Sequence, residues 1–324
     1  MKRREFFTVI GGVIVLPLAA RAEQAHRVYR IGFLRVGPPP PSFIAPLRKG
    51  LRDLGYVEGE NLVIEFGFAP SVDQLPEAAE TLVSHHVDLI VASGAASVLP
   101  AKEAAKSVPV VFVAGIDPIA MGLTIKGLAQ PDANVTGLTT VQIDLTAKRM
   151  QLLKEMLPSL TLIAFLSRPE NPGSGQYVRE SERAAHALGI KVHVVTARGP
   201  GDFEKVFQSA VAVGAGALVP MDDAVFTSGR QTLVELAERY RLPGVYPIRE
   251  FVVAGGLMSL GPKYQEVYRR AATYIDKILK GTRPASLPVE QPTTFEIVIN
   301  QKTAKKLELG IPLPLLGRAD EVIE

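Results

Sequence analysis

A chain of 324 residues exceeds what one small hydrophobic core serves, and its length implies two lobes of ordinary domain size. Hydrophobic residues at 47% and charged residues at 21% are ordinary for a globular protein, which excludes disordered and fibrous folds. The formal charge of +3 is carried within residues 1–22, where Lys2, Arg3, Arg4 and Arg21 outnumber Glu5. The remainder is formally neutral, with bases and acids mixed as in Glu180-Ser181-Glu182-Arg183, so nucleic acid is excluded as a partner.

Residues 1–22 read as an export signal peptide: a basic start, an apolar stretch from Phe6 to Ala20, and Ala20-Arg21-Ala22 as a small-x-small cleavage site. The apolar stretch is shorter than the ~20 residues of a membrane span and is broken by Gly11, Gly12 and Pro17. Lys2-Arg3-Arg4-Glu5-Phe6-Phe7 resembles the twin-arginine signal, with a basic Sec leader as the alternative. Either route delivers the protein outside the cytoplasm, and the expected location is the periplasm.

From Tyr29 onward, β-branched runs alternate with amphipathic stretches. The strands are predicted at Tyr29–Leu34, Leu62–Phe68, Leu89–Ala92, Val110–Val113, Leu162–Leu166, Val192–Thr196 and Ala217–Pro220. Such alternation means parallel sheets in an α/β fold. Ile44, Leu47, Leu51 and Leu54 place one apolar face on a helix that Gly55 can cap, making the first unit βαβ. Ser71-Val72-Asp73-Gln74 reads as a capping box opening the next helix. Near Val135-Thr136-Gly137-Leu138 a first crossover is expected, followed by a helix over Leu145–Leu157 that Pro158 closes. Phe203, Val206, Phe207 and Ala210 form another helical stripe, as do Val267, Ala271, Tyr274, Ile275 and Ile278.

Several chemistries are missing. With no cysteine, the chain has no disulfide, thiolate nucleophile, Cys-based zinc site or lipid-bearing cysteine. None of the five histidines forms the i, i+4 helical pair of a zinc protease. Gly-x-Gly-x-x-Gly does not follow the first strand, and neither Gly-x-x-x-x-Gly-Lys-Ser/Thr nor Gly-x-Ser-x-Gly occurs. The expectation is a protein without metal, cofactor or catalytic activity. Polar turns just beyond the strands carry the candidate site, since ligands of open α/β sheets bind there. Ser93, Ser97, Asp117, Thr139 and Asp222 are predicted to face one interlobe cleft. The helix opening at Ser93-Gly94 offers amides to a carboxylate, Arg35 and Arg168 add positive charge, and Asp117 or Asp222 suits an ammonium.

The order Ile31-Gly32-Phe33-Leu34, Leu54-Gly55-Tyr56-Val57-Glu58-Gly59, Asp117-Pro118, Asn134-Val135-Thr136-Gly137 and Gly255-Gly256-Leu257-Met258-Ser259 resembles the ABC-transporter substrate-binding family that includes tryptophan- and tyrosine-binding proteins. Phe295 to Ala304 is similar to that family's final strand and helix. The resemblance spans essentially the whole chain after the leader. It implies a type I periplasmic-binding-protein fold: two Rossmann-like lobes, three crossovers near Gly137, Gly256 and Pro288, and ligand held between the lobes. The first lobe is then 28–137 plus 257–287 and the second 138–256 plus 288–324, with the Lys263–Leu279 helix returning to the first lobe.

The implied function is the solute-binding component of an ABC importer, closing on a small carboxylate-bearing ligand, an amino acid or organic acid, and docking on a permease with its ATPase. The alternatives are a ligand-sensing subunit presenting the same clamp to a receptor, and a secreted α/β enzyme. Where the family carries Asn-Pro-x-Asn-Pro, this chain has Arg168-Pro169-Glu170-Asn171-Pro172, so Asn171 joins the candidate ligands. Where the family has Ser-Tyr-Gly and an acid, it has Ser259-Leu260-Gly261-Pro262-Lys263.

Overall fold

The computed structural model describes residues 27–124, 127–132 and 134–324; the proposed signal peptide lies outside them. Tyr29–Val36 (β1), Leu62–Ala69 (β2), Leu89–Ser93 (β3), Val110–Ala114 (β4) and Val135–Thr139 (β5) build a five-stranded parallel sheet in the order β2-β1-β3-β4-β5. Helices Pro41–Asp53 (α1), Leu75–Ser84 (α2) and Ala95–Ala105 (α3) connect its strands. The middle strands β3 and β4 are buried along their whole length, as expected of parallel strands covered on both faces. Gly55 follows α1 with φ of +93°, the left-handed position foreseen for a capping glycine.

The second lobe starts at helix Leu145–Met156 (α4). Strands Leu162–Ser167 (β6), Lys191–Thr196 (β7) and Ala217–Pro220 (β8) pair in parallel in the order β7-β6-β8, with helices Ser174–Leu188 (α5) and Phe203–Ala212 (α6) between them. Phe203, Val206, Phe207 and Ala210 are all buried, as their spacing foretold. Ala224–Ser228 (α7) and Arg230–Arg239 (α8) follow, then Val245–Tyr246 (β9), Arg249–Val253 (α9) and Met258–Pro262 (β10). The amide of Leu218 donates to Pro243 O at 2.9 Å, which joins β8 to the segment entering β9. Phe295–Asn300 (β11) and Glu321–Ile323 (β12) extend that sheet in the order β12-β11-β10-β9, and β11 runs antiparallel to β10.

Between β10 and β11, helix Tyr264–Leu279 (α10) crosses back and lies on α1. Its apolar stripe, Val267, Ala271, Tyr274, Ile275 and Ile278, is buried, and each large side chain so buried stabilises the lobe by about 1.5–3 kcal/mol. Gly50 allows the approach, since a Cβ there would stand 2.8 Å from the Ala272 methyl. Residues 287–290 stay with the first lobe: Thr136 Oγ1 donates to Leu287 O at 2.7 Å and the Thr139 amide to Glu290 O at 2.9 Å.

The chain therefore crosses three times between two α/β lobes, at residues 140–144, at Lys263 and at 291–294, each later than the sequence reading had it. Val135–Thr139 is a full edge strand on β4, not a connection. Met258–Pro262, expected in the first lobe, is hydrogen-bonded between β9 and β11 in the second. Membership of a sheet is decided by long-range pairing, which local residue patterns do not encode. The capping box is also different: Ser71 precedes a single 3-10 turn, Val72–Gln74, its hydroxyl meets Gln74 Oε1 at 3.3 Å, and α2 begins only at Leu75. No helix among the described residues is long and apolar enough to cross a membrane.

Candidate functional site

The carboxyl ends of β1, β3 and β4 face the segment Asp222–Ser228 of the second lobe. Glycines make this contact close. A Cβ on Gly94 would stand 3.3 Å from the Ala224 methyl, and one on Gly115 would stand 2.9 Å from Asp222 Oδ2 and 3.0 Å from Tyr177 Oη. Between the walls remains a cavity of only about 20 Å³, room for a single water.

Arg35 is 2% exposed on the first-lobe wall of this cleft. Its Nη1 donates to the carbonyls of Val36 and Pro38, each at 3.1 Å, and to Ser228 Oγ of the opposite lobe at 3.3 Å. Burial lowers its pKa, opposed by weaker attraction from Tyr268, Asp222 and Asp223. Ser93, at the end of β3, shares a 2.6 Å hydrogen bond with Tyr268 Oη. Phe43 of α1 stacks on Tyr264 at 4.6 Å and on Tyr268 at 4.9 Å, giving the cleft an aromatic wall.

Two adjacent acids face this wall differently. Asp223 caps α7, its Oδ1 accepting from the Val225 amide at 2.7 Å, while Oδ2 accepts from Asn171 Nδ2 at 2.8 Å and Arg168 Nε at 3.2 Å. Among the described residues Asp222 receives only the Tyr264 hydroxyl, at 3.2 Å. Burial raises the Asp222 pKa to about 6, with Arg149 pulling it down, Asp223 pushing it up, and the Tyr264 bond and Arg35 pulling it down. Asp222 is thus a buried carboxyl that holds its proton more tightly than an ordinary aspartate.

Arg149 of α4 is fully buried behind the cleft. Its Nε donates to Leu260 O at 2.9 Å, its Nη1 to Gln142 O at 3.1 Å, and its Nη2 to Gln142 Oε1. Gln142 in turn donates through Nε2 to Pro247 O at 3.2 Å and to Tyr264 Oη at 3.3 Å, which ties the first crossover to the second lobe and to α10. Among the described residues neither Arg35 nor Arg149 has a carboxylate within ion-pair distance. The Tyr177 hydroxyl is buried and unpartnered among the described residues, and burial together with Asp222 holds its pKa well above the ordinary value, so it stays a neutral donor.

The sequence-predicted residues fall into separate places. Arg35, Ser93 and Asp222 line the small cleft cavity. Ser97 turns back on its own helix, donating to Ser93 O at 3.2 Å, and Asn171 stands behind Asp223. Asp117 and Thr139 line a second interlobe pocket of about 450 Å³ beside the crossovers. There Asp117 Oδ1 caps its own turn, accepting from the amides of Ile119 and Ala120, and Thr139 donates to Ile116 O at 2.7 Å. Arg149, Gln142, Tyr177 and the aromatic trio were not foreseen. Arg149 follows Lys148 on an amphipathic helix, so nothing local distinguishes the buried cation from the exposed one.

The family model of the ABC transporter substrate binding protein matches residues 43–323. The chain belongs to this family. It is therefore a solute-binding protein and not an enzyme. It is 26% identical over 263 residues to the tyrosine-binding protein of Clostridioides difficile, covering 81% of this chain and 75% of that one. An ABC domain from Streptococcus pneumoniae in complex with L-Trp superposes with a TM-score of 0.82 at 25% identity, over 91% of this chain and all of that one. A ligand-free, open substrate-binding protein from Clostridium difficile, also 25% identical, superposes at 0.63 over 91% of this chain and 99% of its own. At equal identity, these lobes match the liganded arrangement better than the open one.

Proposed function

We propose that this solute-binding protein captures a small carboxylate-bearing molecule, an amino acid ahead of an organic acid, in the cleft between Arg35 and Asp222. The observation that carries the reading is the pair of buried guanidiniums, Arg35 and Arg149, with no carboxylate within ion-pair distance among the described residues. A buried charge needs a partner, and a ligand carboxylate supplies one that is absent until capture. Asp222 would receive the ammonium, and Phe43, Tyr264 and Tyr268 offer an aromatic surface to the ligand's body. The tyrosine- and tryptophan-binding relatives agree with that chemistry.

Capture proceeds by hinge motion at the three crossovers, because the closed cavity of about 20 Å³ admits no amino acid without opening. Ligand contacts with both lobes populate the closed form, which the permease with its ATPase then reads. The protein works in the periplasm after cleavage following Ala22, exported by the twin-arginine route through Arg3 and Arg4. Changing both arginines to lysine retains the precursor in the cytoplasm on this reading, whereas unimpaired export points to Sec.

A thermal-shift screen of amino acids and aliphatic and aromatic acids tests the ligand class. A ligand at 100 times its Kd stabilises the folded state by about 2.7 kcal/mol. A response to neutral sugars alone would defeat the carboxylate reading while leaving the fold untouched.

A further inference from the structure

The 450 Å³ pocket beside the crossovers is built differently from the cleft, and nothing in the capture mechanism uses it. Its first-lobe wall carries Asp117 and an apolar surface of Ile119 and Leu128, with Ile119 57% exposed. The crossover adds Asp144, and helix α5 of the second lobe presents Arg179 from the opposite side. These charges are left over from the protein's own pairing. The neighbouring Arg183 is already engaged with Glu180 through two bonds of 2.9 and 2.6 Å, whereas among the described residues Arg179, Asp117 and Asp144 form no ion pair. Partial desolvation beside the pocket wall, with the Glu180 and Asp117 charges, raises the pKa of the otherwise exposed Asp144, while Arg183 offsets this in part. The two unpaired acids thus repel one another across a space lined with apolar groups.

We propose that this pocket is a second binding site, for a small zwitterion whose charges are separated by an apolar spacer, with its ammonium at Asp117 and Asp144 and its carboxylate at Arg179. The separation distinguishes it from the cleft. An α-amino acid carries both charges on one carbon, whereas an ω-amino acid holds them apart with methylenes that suit Ile119 and Leu128. The two spaces are divided by one layer, Gly115 of the first lobe against Gln142, Tyr177 and Asp222, so ligands in the two do not overlap. The site stands independently of the ligand proposed for the cleft.

The test is isothermal titration of the full mature chain with ε-aminocaproate. Arg179→Gln alone, and Asp117→Asn with Asp144→Asn, are the pocket variants. Asparagine at 117 keeps the Oδ1 acceptor that caps the turn, and Arg179 and Asp144 are exposed, so folding is not at stake. Arg35→Gln serves as the cleft control. Saturable binding to the wild type, weakened roughly tenfold or more in each pocket variant and unchanged in Arg35→Gln, is the expected result. Absence of binding, equal binding to the pocket variants, or loss of binding in Arg35→Gln would overturn the proposal. If the cleft fails to bind any α-amino acid, this titration still stands or falls on its own.

Discussion

Buried guanidiniums occur in two regions of the interlobe seam and are treated oppositely. Arg168, 2% exposed, is held by Asp223 and Glu170, and Asn171 completes the Asp223 carboxylate. Arg35 and Arg149, equally buried, bond only to carbonyls, a hydroxyl and an amide. The first guanidinium has its charge compensated by carboxylates of the chain, although its Nη2 has no hydrogen-bond partner among the described residues, and the second pair has hydrogen bonds but no carboxylate within ion-pair distance. On the proposed reading the contrast separates architecture from recognition: a paired buried charge holds the lobe together, and an unpaired one is left for the ligand.

The sharpest way to break this contrast is through Asp223. Asp223→Ala leaves Arg168 without its buried carboxylate partner and removes the α7 cap, and loss of one partner of a buried pair costs about 3–5 kcal/mol. Urea unfolding should register that loss, whereas Arg35→Gln, which removes hydrogen bonds but no ion pair, should cost less. Equal destabilisation by the two would erase the distinction.

Asp222 provides the next effect. Its pKa of about 6 in the folded protein exceeds the ordinary 3.8, so the ligand-free fold binds the proton more tightly than the unfolded chain does. The stability this contributes is complete below pH 3.8 and is lost as pH rises through 6. Asp222→Asn should remove that decline and make the ligand-free protein more stable above pH 6 by on the order of 2–3 kcal/mol. Affinity for an ammonium-bearing ligand should follow the opposite course, rising with pH as the carboxylate ionises. Thermal melts between pH 4 and 8 that coincide for the two proteins would contradict this.

How much of this was legible in the sequence depends on which interactions are local. The helical stripes of α6 and α10 and the seven strand runs follow from periodicity, and the observed strands begin or end within two residues of the predicted positions. Arg35, Ser93 and Asp222 share one small cavity because the carboxyl ends of parallel strands converge there, an address the strand runs already carry. Asn171 and Ser97 share that address yet serve Asp223 and the α3 backbone, a difference set by side-chain geometry in the folded protein. Arg149 and Gln142 meet only when the first crossover folds under β10, so no local pattern marks them.

A smaller effect is expected at the seam itself. Gly115→Ala adds a methyl against Asp222, Gln142 and Tyr177, all of the facing wall or the crossover, and overpacking of this kind costs roughly 1–3 kcal/mol. Because the contact forms only when the lobes close, the cost should appear as weaker ligand binding with little change in the melting of the ligand-free protein. X-ray scattering should report a more open form. A variant that closes and binds as the wild type does would mean the seam is looser than these distances imply.

The most direct test of the account is calorimetric titration of L-tyrosine and L-tryptophan into the wild-type chain and into Arg35→Gln. A lost charge-assisted hydrogen bond in the cleft predicts affinity lower by about 1.5–3 kcal/mol, a ten- to hundredfold change, in a variant that remains folded. Undiminished affinity in Arg35→Gln would contradict the claim that this buried, unpaired guanidinium receives the ligand's carboxylate.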